Sequence, residues 1–243
     1  MLPCFNEEKN IKPLVYLIDD TLKPHIRYKI IAVNDGSHDR TSEVLKDLST
    51  DYPLEVLTHQ TNLGLGAALR TGLCRVVEEA FDDDYVVIMD SDNTHNPKHV
   101  LEMLAAAGYA DVVVGSRYVK GGRQLNVPLH RVILSKAANL LVRLLFQLPV
   151  NDATSGFRCF RAYVLKRTHK ILNGRIIQSS GFIASLELLL NILHPGVRMA
   201  EVPILLDYGR KRGRSKLRLF STVVNYLLLF LKRGHLNSSK SFG

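Results

Sequence analysis

Three apolar runs constrain this chain more than any other feature. "YKIIAVNDGS", "YVVIMDSD" and "DVVVGSRY" each stop abruptly at carboxylates, amides or hydroxyls. A continuous apolar run, as opposed to an alternating one, fits a strand buried on both faces. Amphipathic segments separate them. Ile11, Leu14, Val15, Ile18 and Leu22 recur at helical spacing, and Val44, Leu45 and Leu48 mark a second helix. "LEVLTH" adds a strand, "NLGLGAALRTG" opens a helix through Val77, and "NPKHVLEML" starts another after Pro97. Strand and helix alternate through residues 1–118. This predicts an α/β fold with a mostly parallel, Rossmann-like central sheet flanked by helices.

Beyond residue 130 the rhythm changes. Val132 to Leu148 predicts a helix, "DATSGFRCF" a loop and short strand, Phe182 to Leu193 a helix, and "RMAEVPILLDY" one late strand. Ser221 to Leu231 is almost wholly apolar, yet short of the roughly 20 residues that a membrane span needs. Basic residues flank it, which suits an amphipathic helix lying in a membrane interface. The expected organisation is one domain over 1–216, followed by an apolar helix and basic tail over 217–243 at a membrane periphery.

Charge supports that division. The net charge is +9. From Tyr208 onward there are nine Lys and Arg and no acid, while the remaining 23 basic and 23 acidic residues balance. The excess therefore points to a local anionic partner and not to a chain that is basic all over. Few aromatics interleave with these charges, so nucleic acid is not the expected partner. Cys4, Cys74 and Cys159 stand far apart, with neither zinc spacing nor a disulfide framework. The first ten residues are polar and acidic, unlike a secretory leader.

In an open parallel sheet, ligands gather at the carboxyl ends of the strands. Those ends carry Asn6 and Glu7, Asn34 and Asp35, Asp90 and Asp92, and Ser116 and Arg117. Singly, such residues are often caps, and Asn34 and Asp39 fit that role equally well. Four consecutive polar ends favour a shared site. Asp90 and Asp92 flank one small residue, a pair that can turn oxygens toward one Mg²⁺ or Mn²⁺. His95 next door suits a cap or a turn hydrogen bond. Gly64 and Gly66 suit a tight turn and close helix packing, because their spacing is not that of a dinucleotide fingerprint. Arg70 is a further candidate. Arg117, Arg131 and Ser135 offer two guanidiniums and a hydroxyl for a phosphate, with Arg131 and Ser135 one helical turn apart. "YGRKRGRSKLR" reads as a second phosphate-binding loop. Asp152, Glu187 and Asp207 are either site lining or partners for arginines.

Taken in order, these motifs resemble family 2 glycosyltransferases of the GT-A fold, and within them the dolichyl- and polyprenyl-phosphate hexosyltransferases. "LPCFNEEKNI", "VNDGSHDRT", "MDSDNTHNP", "GSRYVKGG", "DATSGFRCF" and "EVPILLDYGRKRGRSK" carry the resemblance. It implies that Pro3, Phe5, Glu7, Val33 and Asp35 hold the base and ribose of a GDP- or UDP-sugar. It implies that Asp90 and Ser91 approach the nucleotide and sugar, and that Asp92, with Asp90 and Thr94, takes the metal. Arg117, Arg131 and Ser135 would receive a lipid phosphate, and Arg210, Arg212, Ser215 and Lys216 would close over the phosphates. Asn34 stands where the family often has Asp, Thr94 where it often has Gln, and Arg214 where Glu is frequent.

The implied function is inverting transfer of a hexose, mannose favoured, to a polyprenyl or dolichyl phosphate on the cytoplasmic face of a membrane. Phosphate is already anionic, so positioning and charge neutralisation matter more than a general base. Two alternatives stand beside it: a family 2 enzyme acting on a glycan hydroxyl, which needs a base, and a non-catalytic basic relative that binds membrane or nucleic acid. "MLPCFNEEKN" reads as the carboxyl end of a central strand lying between the second and fourth. Such strands typically have about 5–6 residues, so a longer apolar run upstream of Met1 is expected to stabilise the sheet.

Overall fold

The computed structural model describes residues 1–212 and 224–231. In chain order the elements are β1 (Leu2–Cys4), α1 (Ile11–Leu22), β2 (Ile30–Asp35), α2 (Thr41–Asp51), β3 (Leu54–His59), α3 (Leu65–Glu79) and β4 (Tyr85–Ile88). Then follow α4 (Lys98–Ala106), β5 (Val112–Ser116), β6 (Arg123–Leu125), α5 (Leu129–Phe146), β7 (Arg158–Arg161) and α6 (Ala162–Ile171). The chain continues through α7 (Ile183–Ile192), β8 (Met199–Pro203) and β9 (Leu205–Asp207). A last helix, α8, covers 224–231.

β1, β2 and β3 pair in parallel, with Cys4 opposite Asn34 and Asp35 opposite His59. β5 and β8 are also parallel, whereas β7 runs antiparallel between β4 and β5. Met1 joins the two groups. Its ammonium donates to Val87 O (2.7 Å), and Met89 N donates to Met1 O (3.2 Å). The strand order is thus β3-β2-β1-β4-β7-β5-β8, with β1 between β2 and β4 as its sequence suggests.

The late apolar segment does not form one strand. Pro203 ends the pairing with Ser116, and Ile204 N donates to Ser116 O. Proline has no amide to continue a ladder, so the chain leaves β5 and pairs with β6 as β9. This jog carries Asp207 and the basic residues behind it toward the strand ends.

The sheet feeds two cores because the side chains of its strands alternate. In β5, Val112 and Val114 enter the core under α3, α6 and α7, while Val113 enters the one under α1, α2 and α4. Full burial of one such side chain contributes roughly 1.5–3 kcal/mol. Tyr226 and Leu229 of α8 join the first of these cores. That part of the C-terminal segment therefore packs on the body of the fold. All three cysteines are free, Cys4 and Cys159 buried and Cys74 exposed.

α3 begins at Gly64, whose φ of 88° is open to glycine. Two residues on, Gly66 lies against the backbone of Ser179 and Ser180, and a Cβ there would overlap Ser179 O. Gly66→Ala is therefore expected to lower unfolding stability by about 1–3 kcal/mol, measured by urea denaturation. An unchanged midpoint would refute this close approach.

Candidate active site

The carboxyl ends of β1, β2, β4 and β5 open on a cavity of about 430 Å³. That volume lies in the range of small-molecule sites. Pro3, Phe5, Glu7, Asp35, Asp90, Ser91, Asp92, Thr94, Arg117 and Ser135 all line it. So do Tyr208, Lys211 and, from α8, Tyr226.

Past β4 the chain turns through Asn93, which holds φ at 66°, a region that Asn tolerates better than most residues. This turn sets Asp90 and Asp92 side by side. Loss of solvation and the neighbouring Asp92 charge push Asp90 up to about 7. Burial acts the same way on Asp92. There the Lys211 ammonium outweighs it and holds the carboxyl below its usual value, helped by hydrogen bonds from Lys211 and Thr94. Lys211 Nζ meets Asp92 Oδ2 at 2.5 Å. Thr94 donates to Asp92 Oδ1 from its amide (3.1 Å) and its hydroxyl (2.6 Å). Thr94 thus orients Asp92. Ser91 is buried and donates to Pro3 O at 2.7 Å, tying this turn to β1.

His95 caps nothing. It is buried against Phe157, ring centroids 4.8 Å apart, and its Nδ1 has no hydrogen-bond partner among the described residues. Burial pushes its pKa down to about 4, so the ring is neutral.

On the wall built by the ends of β1 and β2, Asp35 is a hub. It accepts from Leu63 N (2.9 Å) and Gly64 N (2.8 Å) and meets His59 Nδ1 at 2.7 Å. Its carboxylate therefore shapes the turn before α3 as well as facing the cavity. Asn34 Oδ1 accepts from Ser37 N, and Asp39 accepts from Thr41 and Glu8 amides, so both act as turn caps. Glu7 is buried, its amide donating to Thr41 Oγ1 and its carboxylate accepting from Asn10. Phe5 stands edge-on to His38. Val33 is outside the lining. It shares the face of Asp35 one pleat deeper, fully buried where Met1 and Gly72 of α3 cover it.

The second wall differs from the grouping read in the sequence. Arg117 and Ser135 line the cavity, and Tyr118 links them, its hydroxyl 2.9 Å from Ser135 Oγ. Arg131 does not join them. Leu129, His130 and Arg131 are all exposed in the first turn of α5, so helical spacing put Arg131 near Ser135 without turning it inward. Arg117 binds Asp152 through Nε and Nη2, both at 2.7 Å, and through its amide at 2.9 Å. Burial acts to lower its pKa, yet the Asp152 carboxylate outweighs this and holds it above its usual value. Asp152 is therefore an arginine partner. Glu187 accepts the Gln178 and Ser179 amides and shapes the loop before α7. Asp207 accepts from Gly209 N and Asn126. Arg70 reaches Ile177 O at 3.4 Å and stays out of the cavity lining.

The basic loop presents a different residue from those expected. Arg210 reaches Asn93 Oδ1 at 3.3 Å, and exposed Arg212 is held by its backbone. The side chain that enters the cavity is Lys211. Tyr208–Arg210 form a 3-10 turn and Lys211 follows in extended backbone, so no regular alternation in the sequence marked Lys211 as the side chain that turns inward. Ser215 and Lys216 lie outside the described residues.

Two carboxylates suit a hard divalent cation that keeps positions for phosphate and water. Asp90 and Asp92 fit that donor set. Among the described residues there is no group of three or more His, Cys, Asp or Glu side chains placed to enclose a metal.

Strand ends, carboxylate pair and basic loop on one cavity define a GT-A architecture. Residues 1–168 match Glycosyl transferase family 2, and the chain belongs to that family. It is 34% identical over 233 residues to a dolichol-phosphate mannosyltransferase of Pyrococcus furiosus, covering 93% of this chain and 60% of that protein. It therefore spans less than two thirds of that relative's length. A polyprenol monophosphomannose synthase of Mycolicibacterium smegmatis is 32% identical, with 89% of this chain and 79% of that protein covered. An undecaprenyl-phosphate mannosyltransferase of Micrococcus luteus is 30% identical, with 89% and 86% covered. Among solved structures, glucosyl-3-phosphoglycerate synthase from Mycobacterium tuberculosis, crystallised with Mn²⁺, UDP and glucosyl-3-phosphoglycerate, superposes with a TM-score of 0.62. It is 19% identical, covering 94% of this chain and 77% of that one. The shared fold is what that likeness carries.

The raised Asp90 sets a pH dependence. A carboxyl whose folded pKa lies above its unfolded value stabilises below the unfolded value and loses that contribution as pH rises through the folded one. For Asp90 the window runs from about 4 to about 7. In EDTA, Asp90→Asn is expected to melt higher than the parent at pH 8, with a smaller difference at pH 5. Equal differences at both pH values would overturn this.

Proposed function

We propose that this chain transfers a hexose, mannose favoured, from a nucleoside diphosphate sugar to a polyprenyl phosphate with inversion. The observation that carries the reading is one cavity with the Asp90–Asp92 pair on one wall and Arg117 with Ser135 on another. The three polyprenyl-phosphate mannosyl relatives support it.

In this reading a phosphate oxygen of the acceptor attacks the anomeric carbon. The bond from that carbon to the donor diphosphate breaks, and the nucleoside diphosphate leaves with the electron pair. Arg117 and Ser135 orient the acceptor phosphate. Phe5, Glu7 and Asp35 form the wall that the nucleoside meets. Lys211 and the basic loop lie beside the leaving diphosphate. A divalent cation, Mg²⁺ or Mn²⁺, held by Asp92 and Asp90 would neutralise charge on that diphosphate. The attacking group is already an anion, so the chemistry rests on orientation and electrostatics.

The acceptor's lipid tail implies a membrane partner. No described helix is long and apolar enough to cross a bilayer. Yet Leu129, Ile133, Leu140 and Leu144 form an exposed stripe along α5, at spacing that keeps one face. Leu228 and Leu231 of α8 are exposed as well, and Phe146 and Phe230 join the two helices edge to face at 5.6 Å. An apolar face of this kind, next to basic residues, suits the interface of an anionic membrane.

A donor panel of GDP- and UDP-hexoses with polyprenyl phosphate tests the activity. One donor should give a lipid-linked, chelator-sensitive product, and Asp92→Asn should cut turnover on the order of a hundredfold or more. Absence of lipid-linked product with every donor would reject the reading. Sedimentation with anionic vesicles tests the surface: the parent should pellet, and Ile133→Asp with Leu144→Asp should leave it in the supernatant. Equal partition of both proteins would reject the membrane face.

A further inference from the structure

We infer that Lys211 occupies the place of the divalent cation at Asp92, so that metal entry and release of the Lys211 side chain are a single exchange. The inference deepens the proposed function and rests on Asp92 being the metal-side carboxylate. Both Asp92 oxygens are engaged. Oδ1 takes the Thr94 amide and hydroxyl, and Oδ2 takes the Lys211 ammonium at 2.5 Å. The two side chains are only 12% and 15% exposed, so this is not a loosely held surface pair. A Mg²⁺–oxygen bond is about 2.0–2.1 Å. A cation on Oδ2 would therefore stand within a few ångströms of Nζ, with like charges in a poorly solvated position. Nζ has to leave when the cation enters.

The backbone that carries Lys211 is held independently of that ion pair. Arg212 N donates to Asn10 Oδ1, and Asn10 Nδ2 donates to Arg212 O, both at 2.9 Å. Arg210 adds its contact to Asn93. The clamp keeps Lys211 next to Asp92, so the ammonium competes at high local concentration. Its other partner on release is the diphosphate, whose oxygens accept what Asp92 gives up. Metal and diphosphate are then coupled: each favours the other by drawing Lys211 off the carboxylate. Lys211 is thus a positioning residue, acting through Asp92 before any chemistry begins.

Mn²⁺ titrations of the full chain, read by the electron paramagnetic resonance of free Mn²⁺, test this without turnover. They are run with and without GDP or UDP, on the parent, Lys211→Met and Lys211→Arg. Couplings between sites typically amount to about 5–150-fold. Lys211→Met, which keeps the length and removes the charge, is expected to bind Mn²⁺ alone about 10-fold tighter. The strengthening by nucleotide should shrink by a similar factor. Lys211→Arg should stay close to the parent. Thermal melts confirm that each variant is folded, and Lys211→Gln replaces Lys211→Met if the latter is not. If the parent binds Mn²⁺ and the neutral variant binds it no tighter, the exchange is wrong while the metal reading stands. If neither binds Mn²⁺, with or without nucleotide, the metal reading fails and this inference fails with it.

Discussion

The pairing of Arg117 with Asp152 is the interaction on which one wall of the cavity depends. Arg117 directly follows β5, and Asp152 lies in the loop between α5 and β7. Three bonds from Arg117, two from the side chain and one from the amide, converge on a carboxylate with no exposure. Asp152 N in turn donates to Glu201 of β8, which also holds Asn151. One ion pair thus locks three segments at the edge of the cavity. Charges removed from water are costly unless fully bonded, and losing one partner costs roughly 3–5 kcal/mol. The geometry here meets that condition and leaves Arg117 fixed in direction.

A second buried guanidinium extends the same logic. Arg158 on β7 is almost fully buried and bonds Ser185 O and Ala153 O. It joins the start of α7 to the loop that carries Asp152 and Thr154. Burial lowers its pKa to about 10, still far above neutrality. The polar loops around the cavity are therefore anchored from beneath by charge, while the two apolar cores hold the sheet between its helices. The Asp90–Asp92 wall is anchored differently. Ser91 ties it to β1 and the Lys211 ammonium pairs with Asp92.

Much of the fold was legible because it follows from local pattern. The apolar runs became β2, β4 and β5, and the spacing of Ile11, Leu14, Val15, Ile18 and Leu22 became the buried face of α1. The carboxyl ends of those strands do face one cavity. Where the reading failed, the missing information was non-local. Pro203 divides the last apolar stretch because β5 ends opposite it. Val33 leaves the site because Met1 and α3 cover it. Arg131 shares a turn with Ser135, yet the first turn of α5 extends into solvent.

The sequence by itself determined the strand–helix alternation, the polar strand ends and the glycosyl transferase motifs, because each depends on residues a few positions apart. Only the tertiary structure decided that Asp152 belongs to Arg117, that His95 packs on Phe157, and that Lys211 meets Asp92. Lys211 and Asp92 are 119 positions apart. Charge attraction makes them compatible partners, but so are many other pairs in a chain with 32 basic and 23 acidic residues. Which pair forms depends on the jog after Pro203, set by backbone pairing between distant strands, and on the clamp that the Asn10 side chain makes with the Arg212 backbone.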